Sequence, residues 1–401
     1  MTGMARASLA RAVMTSMAAM LAATIGATWA TGAAALDVSI GYLRFERPPH
    51  AVLSNLDPIP ERRGIEGAEL ALGDNRTTGK FLGHDYGLEV ISVPFDGDIF
   101  AAARAMEADH DLILLDMAAK DMLAIVDAAP AGTLFFNVGS RDPALRDSAC
   151  RAQLLHAIPS LAIEADALMQ VLLAKGWNKL AMIEGPTPQD KALAETYRKS
   201  VQKFGLKIVS EASWSFDTDL RRAASREVPL LTQAFKPHDV VLIADAHGDF
   251  ARYIEHNTWQ PRPVAGASGL EAVAWAPVVE QWGAAQLQSR FEHLSGREMT
   301  PEDYAAWAAM RTIGEAVTRL GQTDPAELRD YILSDAFELA GFQGRPLSYR
   351  HWNGQMRQPI PVVNAHAQVA SAPLDGFEHA RNPLDTLGID LAESRCSAFG
   401  D

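Results

Sequence analysis

The sequence predicts an α/β protein made of two similar halves, each a mostly parallel sheet flanked by helices. Three observations carry that expectation. Short runs rich in Val and Ile alternate with longer amphipathic segments, and strands separated by helices pair in parallel under a helical cover on both faces. The alternation restarts after Cys150, so that one half precedes and one follows residue 156. At 401 residues the chain is also longer than one hydrophobic core usually serves, and two domains are expected.

Composition narrows the class. A 48% hydrophobic content is that of a packed globule and excludes a disordered chain. Two cysteines exclude a disulfide-dense miniprotein. A net charge of −14 argues against nucleic acid, whose phosphates need a basic surface.

The first segment reads as a leader, residues 1–35. Arg6 and Arg11 open it, Ala12–Ala35 is small, apolar and uncharged, and Ala33 and Ala35 form an A-x-A cleavage pattern before Leu36. This is the layout of a cleaved signal peptide. The run is long enough to serve as a membrane anchor, but its Ala and Thr content favours cleavage over anchoring. Export places Cys150 and Cys396 in an oxidising compartment, where a pair is expected to join. No cysteine directly follows the leader, which argues against a lipid anchor at that point.

The elements follow in order. Asp37–Leu43 reads as a strand, Arg63–Leu72 as a helix stopped near Gly73, and Leu88–Phe95 as a strand. Asp98–Ala108 is a helix with acids at its positive end. Asp111–Leu115, helix Lys120–Ala128 and strand Thr133–Asn137 complete the first half. In the second half, Ser160 caps a helix running to Lys175, with Gly176 as its stop. Strand Lys179–Ile183, helix Gln189–Phe204 and strand Leu206–Ser210 come next. Strand Asp239–Ala244, helix Asp249–His256 and strand Pro263–Ala267 close that alternation. Ala284–Ser334 is mainly helical, with Thr300 and Pro301 starting one helix and Gly321 ending it. Asn353-Gly354, between strand-like runs in Pro346–Val363, signals a hairpin. From Ala372 onward the chain reads as a tail held by Cys396.

Catalytic signatures are missing. The chain has no G-x-S-x-G, H-E-x-x-H or G-x-x-x-x-G-K-[ST], and no paired cysteine spacing for zinc. Asp96–Glu107 starts like a calcium loop, but Phe100 and Ala101 break it. His247, with acids on either side, is a general-base candidate without a nucleophile or orienting partner. No enzyme and no cofactor are expected.

The informative residues sit where strands end, since ligands of open parallel sheets bind beyond the carboxyl ends of strands. Those positions hold Tyr42, Arg44, Asp116, Asn137, Ser140, Arg141, Glu184, Asp245, His247 and Asp249. Several are carboxylates, which suit an ammonium group or a hard cation with oxygen ligands. Turn and cap roles favour the same residue types.

These features resemble the periplasmic solute-binding proteins of ABC transporters, of the Leu/Ile/Val-binding type. The resemblance rests on the exported α/β restart and on three stretches. They are GIEGAELAL, GREMTPEDYAAWAAMRTIGEAV and FELAGFQGRPLSYRHWNGQMRQPIPVV. The two cysteines and LLHAIPS are similar to the subfamily found with pyrroloquinoline-quinone (PQQ)-dependent alcohol oxidation.

The resemblance implies a two-lobed type I periplasmic binding fold with ligand in the cleft and hinge closure. It puts 36–155 plus 268–339 in lobe 1, 156–267 plus 340–372 in lobe 2, and leaves 373–401 as the tail. It implies a monomer that takes a small-molecule ligand, works with an inner-membrane ABC permease and binds no nucleic acid.

The family pocket carries over in part. Ala118 stands where a hydroxyl usually meets the ligand carboxylate. Ser140 and Arg141 stand where an Ala and a Thr are usual, and Asp249 occupies the position of the acid that holds the ligand ammonium. A plain branched-chain amino acid is therefore not the expected ligand. Arg141 would pair with a carboxylate, or bridge the lobes to Asp249. Two other readings stay open. One is a lanthanide or calcium site built from Asp116, Glu184, Asp245 and Asp249. The other is a sensor that presents its ligand to a signalling partner.

Overall fold

The computed structural model of the chain describes residues 35–48, 59–215 and 220–400. The leader expected over 1–35 falls, but for Ala35, outside the described residues.

Two sheets organise the molecule. In the first, β1 (Leu36–Phe45), β2 (His84–Val93), β3 (Leu112–Asp116), β4 (Leu134–Asn137) and β5 (Leu154–His156) lie in the order β2-β1-β3-β4-β5. β1, β3, β4 and β5 run parallel. In the second, β6 (Lys179–Glu184), β7 (Lys207–Ser213), β8 (Val240–Ala244) and β9 (Val264–Gly266) lie in the order β7-β6-β8-β9, all parallel. β3, β4 and β8 are buried at every position, as strands covered on both faces must be. In both sheets the strand order reverses beside the first strand, and a crevice opens at such a switch point.

Helices cover the faces. α1 (Ile65–Leu82), α2 (Ile99–Asp109) and α3 (Ala119–Ala128) belong to the first sheet. The first sheet's core gathers Leu43, Met106, Leu115, Met122, Phe135 and Leu154. α4 (Leu161–Ala174), α5 (Pro188–Lys203) and α6 (Leu220–Thr232) follow the crossing to the second sheet. Leu168, Leu172, Met182, Tyr197 and Leu242 lie in one of that sheet's cores. α7 (Ala284–Ser295), α8 (Pro301–Leu320) and α9 (Pro325–Leu333) make up the helical segment expected there. α8 returns to pack on α1. A Cβ on Gly67 would lie 1.9 Å from the Asp303 carbonyl oxygen, so only glycine allows this approach of α1 to α8.

Local signals held in most places. Ser160 caps α4, and Thr300 with Asp303 closes a capping box on α8. Asp98 caps α2 by accepting from the Ala101 amide, which is the role of this acidic stretch in place of a calcium loop.

Two expectations need correction, and two elements come in addition to those expected. α1 does not stop at Gly73 but continues to Leu82, with Gly83 left-handed at its end. Packing on α8 outweighs the roughly 1 kcal/mol helix cost of a glycine. β5 is three residues long, too short for a periodicity signal, and was not expected. α6 was also not expected, because Pro229 interrupts its pattern. The helix expected over Asp249–His256 is a 3-10 turn at Ala251–Tyr253. The Asp245 carboxylate holds the amides of Asp249, Phe250 and Ala251, and this fixes a turn.

Beyond the helices, β11 (Ser348–Tyr349) and β12 (Met356–Arg357) form the hairpin around Asn353-Gly354. β10 (Glu271–Ala272), β13 (Ile360–Val363) and β14 (Gln368–Ala372) pair antiparallel in the order β10-β13-β14. Cys150 and Cys396 are joined as expected, with Cα atoms 5.6 Å apart. The tail is held by more than this bond. Buried Asp385 receives Arg350 at 3.0 Å and Arg357 at 2.7 Å. No helix among the described residues is long and apolar enough to cross a membrane.

Candidate functional site

The switch point of the first sheet lies between β1 and β3, where Arg44 pairs in register with Asp116. Asp116 is buried. Its Oδ2 accepts from the Tyr42 hydroxyl at 3.4 Å and lies 3.9 Å from Arg44 Nε. Burial raises the Asp116 carboxyl above the usual carboxylate range, against the pull of Arg47, Arg63 and Arg44. The next loop closes over it. A Cβ at Gly139 would meet Asp116 Oδ1 at 2.1 Å, so the backbone passes directly across this carboxylate.

That loop is stapled from within. Asn137 Oδ1 accepts from the amides of Gly139 at 3.2 Å and Ser140 at 2.8 Å, and its Nδ2 donates to the Ser140 carbonyl. Two predicted site residues, Asn137 and Ser140, thus spend polar groups on the turn itself. Arg146 completes it. The guanidinium is buried, donates to the carbonyls of Ser140, Asp142 and Ile158, and reaches Gln355 Oε1 at 2.8 Å.

The same turn presents Arg141. Its Nη2 donates to Glu302 Oε1 at 3.0 Å and its Nη1 to Glu164 Oε2 at 3.4 Å. Arg63 stands 3.9 Å from the same Glu302 oxygen. Arg141 follows β4 of the first sheet and Glu302 opens α8, which packs on α1. Glu164 lies in the first turn of α4, whose core is that of the second sheet. One guanidinium therefore ties the layers of both sheets. The bridge to Asp249 considered from sequence is replaced by these two.

The two carboxylates respond in opposite directions. Burial alone would raise Glu302, but Arg141 and Arg63 overcome it and hold the carboxyl down to about 2. Burial pushes Glu164 up to about 7; Arg141 pulls it back, and the nearby Glu302 charge adds to the rise. Glu164 Oε1 is buried with no hydrogen-bond partner. Tyr197 on α5 shares this neighbourhood: its phenol is raised first by burial and next by the Glu164 charge.

Glu164, Glu302, Arg63 and Tyr197 were not picked out by sequence. Both glutamates sit in first helical turns, where an acid is already explained by the helix dipole. The only local signal was their position just after strong caps.

On the second sheet, Glu184 pairs with Arg198 at 2.7 Å, which also pairs with Glu211. Asp245 is buried, with both carboxylate oxygens taken by backbone amides at 2.7–3.0 Å. Phe250, held by that carboxylate, stacks on Trp214 with ring centres 4.7 Å apart. His247 is exposed and Asp249 partly buried. Asp116, Glu184, Asp245 and Asp249 do not assemble into an oxygen-rich cation site: among the described residues, no three His, Cys, Asp or Glu side chains gather to hold a metal.

The fold has known relatives. A branched-chain amino acid ABC transporter periplasmic ligand-binding protein from Burkholderia xenovorans superposes with a TM-score of 0.70 at 16% identity, covering 90% of this chain and 100% of that one. A leucine-, isoleucine-, valine-, threonine- and alanine-binding protein from Brucella ovis, in a closed conformation, gives 0.64 at 15% identity, covering 84% and 92%. A solute-binding protein of an ABC transporter from R. palustris, in complex with benzoate, gives 0.62 at 12% identity, covering 90% and 99%. No curated protein matches the chain. These likenesses establish the type I periplasmic binding fold with its two lobes, and a family profile described as periplasmic binding protein matches residues 60–369. The chain belongs to the periplasmic binding protein family.

Proposed function

We propose that this protein is a periplasmic solute receptor of ABC-type transport, which captures a small ligand between its lobes by hinge closure. The observation that carries the reading is the Arg141 bridge. A guanidinium from the strand ends of the first sheet meets a carboxylate of α4 on the second-sheet side. A ligand bound there touches both lobes and favours the closed arrangement by its differential contacts.

The proposed anchors are Arg141, Glu164, Glu302 and Tyr197, with Tyr42, Arg44 and Asp116 forming the first-sheet wall. Glu164 has a buried oxygen without a partner and a carboxyl that titrates near 7, and both favour a ligand group that donates to it. Arg141 offers a planar fork for a carboxylate. The lobes are read as 36–155 plus 268–339 and 156–267 plus 340–372, with a permease as partner and the monomer as working unit. The cysteine pair and LLHAIPS support a place beside PQQ-dependent alcohol oxidation.

A thermal-shift screen of small carboxylates, amino acids and alcohol-oxidation products tests the function, because a ligand that binds only the folded state raises its stability. The expected result is a shift with one solute class that Arg141→Ala abolishes. A complete screen without a shift contradicts the proposal.

A further inference from the structure

The C-terminal tail touches both sheet layers at separate places. Its first anchor is on the second-sheet side. Lys203 on α5 donates to the Gly388 carbonyl at 2.8 Å and to Asp166 at 2.6 Å. The Gly388 amide donates to the same Asp166 at 2.8 Å. Leu387 is buried in the core that α4 and β13 share. Beside it, from the first-sheet side, the β11–β12 hairpin, whose Gln355 bridges to His156 of β5, holds Asp385 through Arg350 and Arg357, and Arg350 also donates to the carbonyls of Leu384 and Leu387.

The second anchor is on the first-sheet side. The Arg395 amide and guanidinium bond to Asp147 at 2.7 and 2.9 Å. Cys396 joins Cys150, just before β5. Arg329 of α9 lies over the Phe399 ring at 5.4 Å. Between the two anchors the chain runs only from Ile389 to Ser394.

The disulfide closes a ring with a sequence separation of 246. That ring contains the whole second sheet and every stretch of backbone that passes between the two sheets. We propose that the tail is a further covalent connection between the lobes, a strap that limits how far they open. The inference rests on the hinge reading above. Opening would have to lengthen the short path between Gly388 and Cys396, pull Asp385 from two buried arginines, or lift Leu387 from its core. All three resist, and the disulfide keeps the first-sheet end from letting go.

The test uses the full chain without ligand, so that an unidentified solute cannot decide it. Spin labels at Arg104→Cys on α2 and Lys191→Cys on α5 report the inter-lobe distance by double electron–electron resonance. The comparison is between intact protein and a Cys150→Ser, Cys396→Ser variant carrying the same labels. The expected result is a broader distribution with its mean shifted to longer distance in the variant. If the variant folds poorly, folded wild-type protein is reduced with a dithiol and followed by small-angle X-ray scattering, where an increased radius of gyration is expected. Unchanged distributions, or an unchanged radius in fully reduced folded protein, overturn the strap. Widening without any response to solutes supports the strap and counts against the receptor reading.

Discussion

Arg141 and Glu302 lie 161 residues apart in the chain and 3.0 Å apart in the structure. The pair places a depressed carboxyl on Glu302 at the start of α8 and leaves the second Arg141 nitrogen for Glu164 on the opposite layer. The same guanidinium thus stabilises one glutamate as a carboxylate while the other remains close to its titration point.

This asymmetry has a pH signature. Glu302 is depressed to about 2, so its stabilisation is complete above the ordinary value of 4.5 and is lost as pH falls toward 2. Glu164 is raised to about 7, so the folded state favours its protonated form, and stability falls as pH rises from 4.5 through 7. Stability, and melting temperature with it, should climb over the first window and decline over the second, the stability change being up to about 3 kcal/mol in each. Glu302→Gln should flatten the acid limb and Glu164→Gln the neutral limb. Melting curves across this range check both; a wild-type profile flat through both windows contradicts the assignment.

Loss of the disulfide should cost stability as well as freedom of opening. Releasing a ring with a sequence separation of 246 is expected to destabilise by about 5.5 kcal/mol in the chain-entropy picture. Chemical denaturation of the Cys150→Ser, Cys396→Ser variant measures this. A loss under about 1 kcal/mol would mean that the noncovalent contacts alone hold the tail in the unfolding reference.

Asp385→Ala should be more damaging than an ordinary surface change. It leaves Arg350 and Arg357 buried without their carboxylate, a situation that costs about 3–5 kcal/mol. Both guanidiniums pack over Trp352, at 5.3 and 5.4 Å from its ring centre, so the loss should also appear as a change in tryptophan fluorescence.

Gly67→Ala tests the contact between α1 and α8. Its Cβ would meet backbone, which cannot rotate away. A loss of about 1–3 kcal/mol is expected from forced separation of the helices, whereas Gly73→Ala, with open space around it, should be neutral or stabilising.

Much of the fold was legible because its signals are local. Val240–Ala244 is an unbroken apolar run, Thr300-Pro301 announces a helix, and Gly205 ends one. The strand-end rule also picked out residues that lie together, since Tyr42, Arg44, Asp116 and Arg141 all border the first switch point. It did not separate side chains that border the crevice from those that hold a turn. Asn137 and Asp245 look like site residues in sequence because the polar groups that suit a ligand also suit backbone amides. Glu164 and Glu302 stayed hidden for the converse reason: their helix-start role was a sufficient local explanation, and their meeting at Arg141 is a long-range contact with no local signal.

Capture between the lobes at Arg141 would draw them together around the ligand. Its most direct test is small-angle X-ray scattering of the protein with and without the solute that raises its melting temperature, repeated with Arg141→Ala. The solute should reduce the radius of gyration of the wild type and leave the variant unchanged. Binding with no compaction, or equal compaction in the variant, would contradict it.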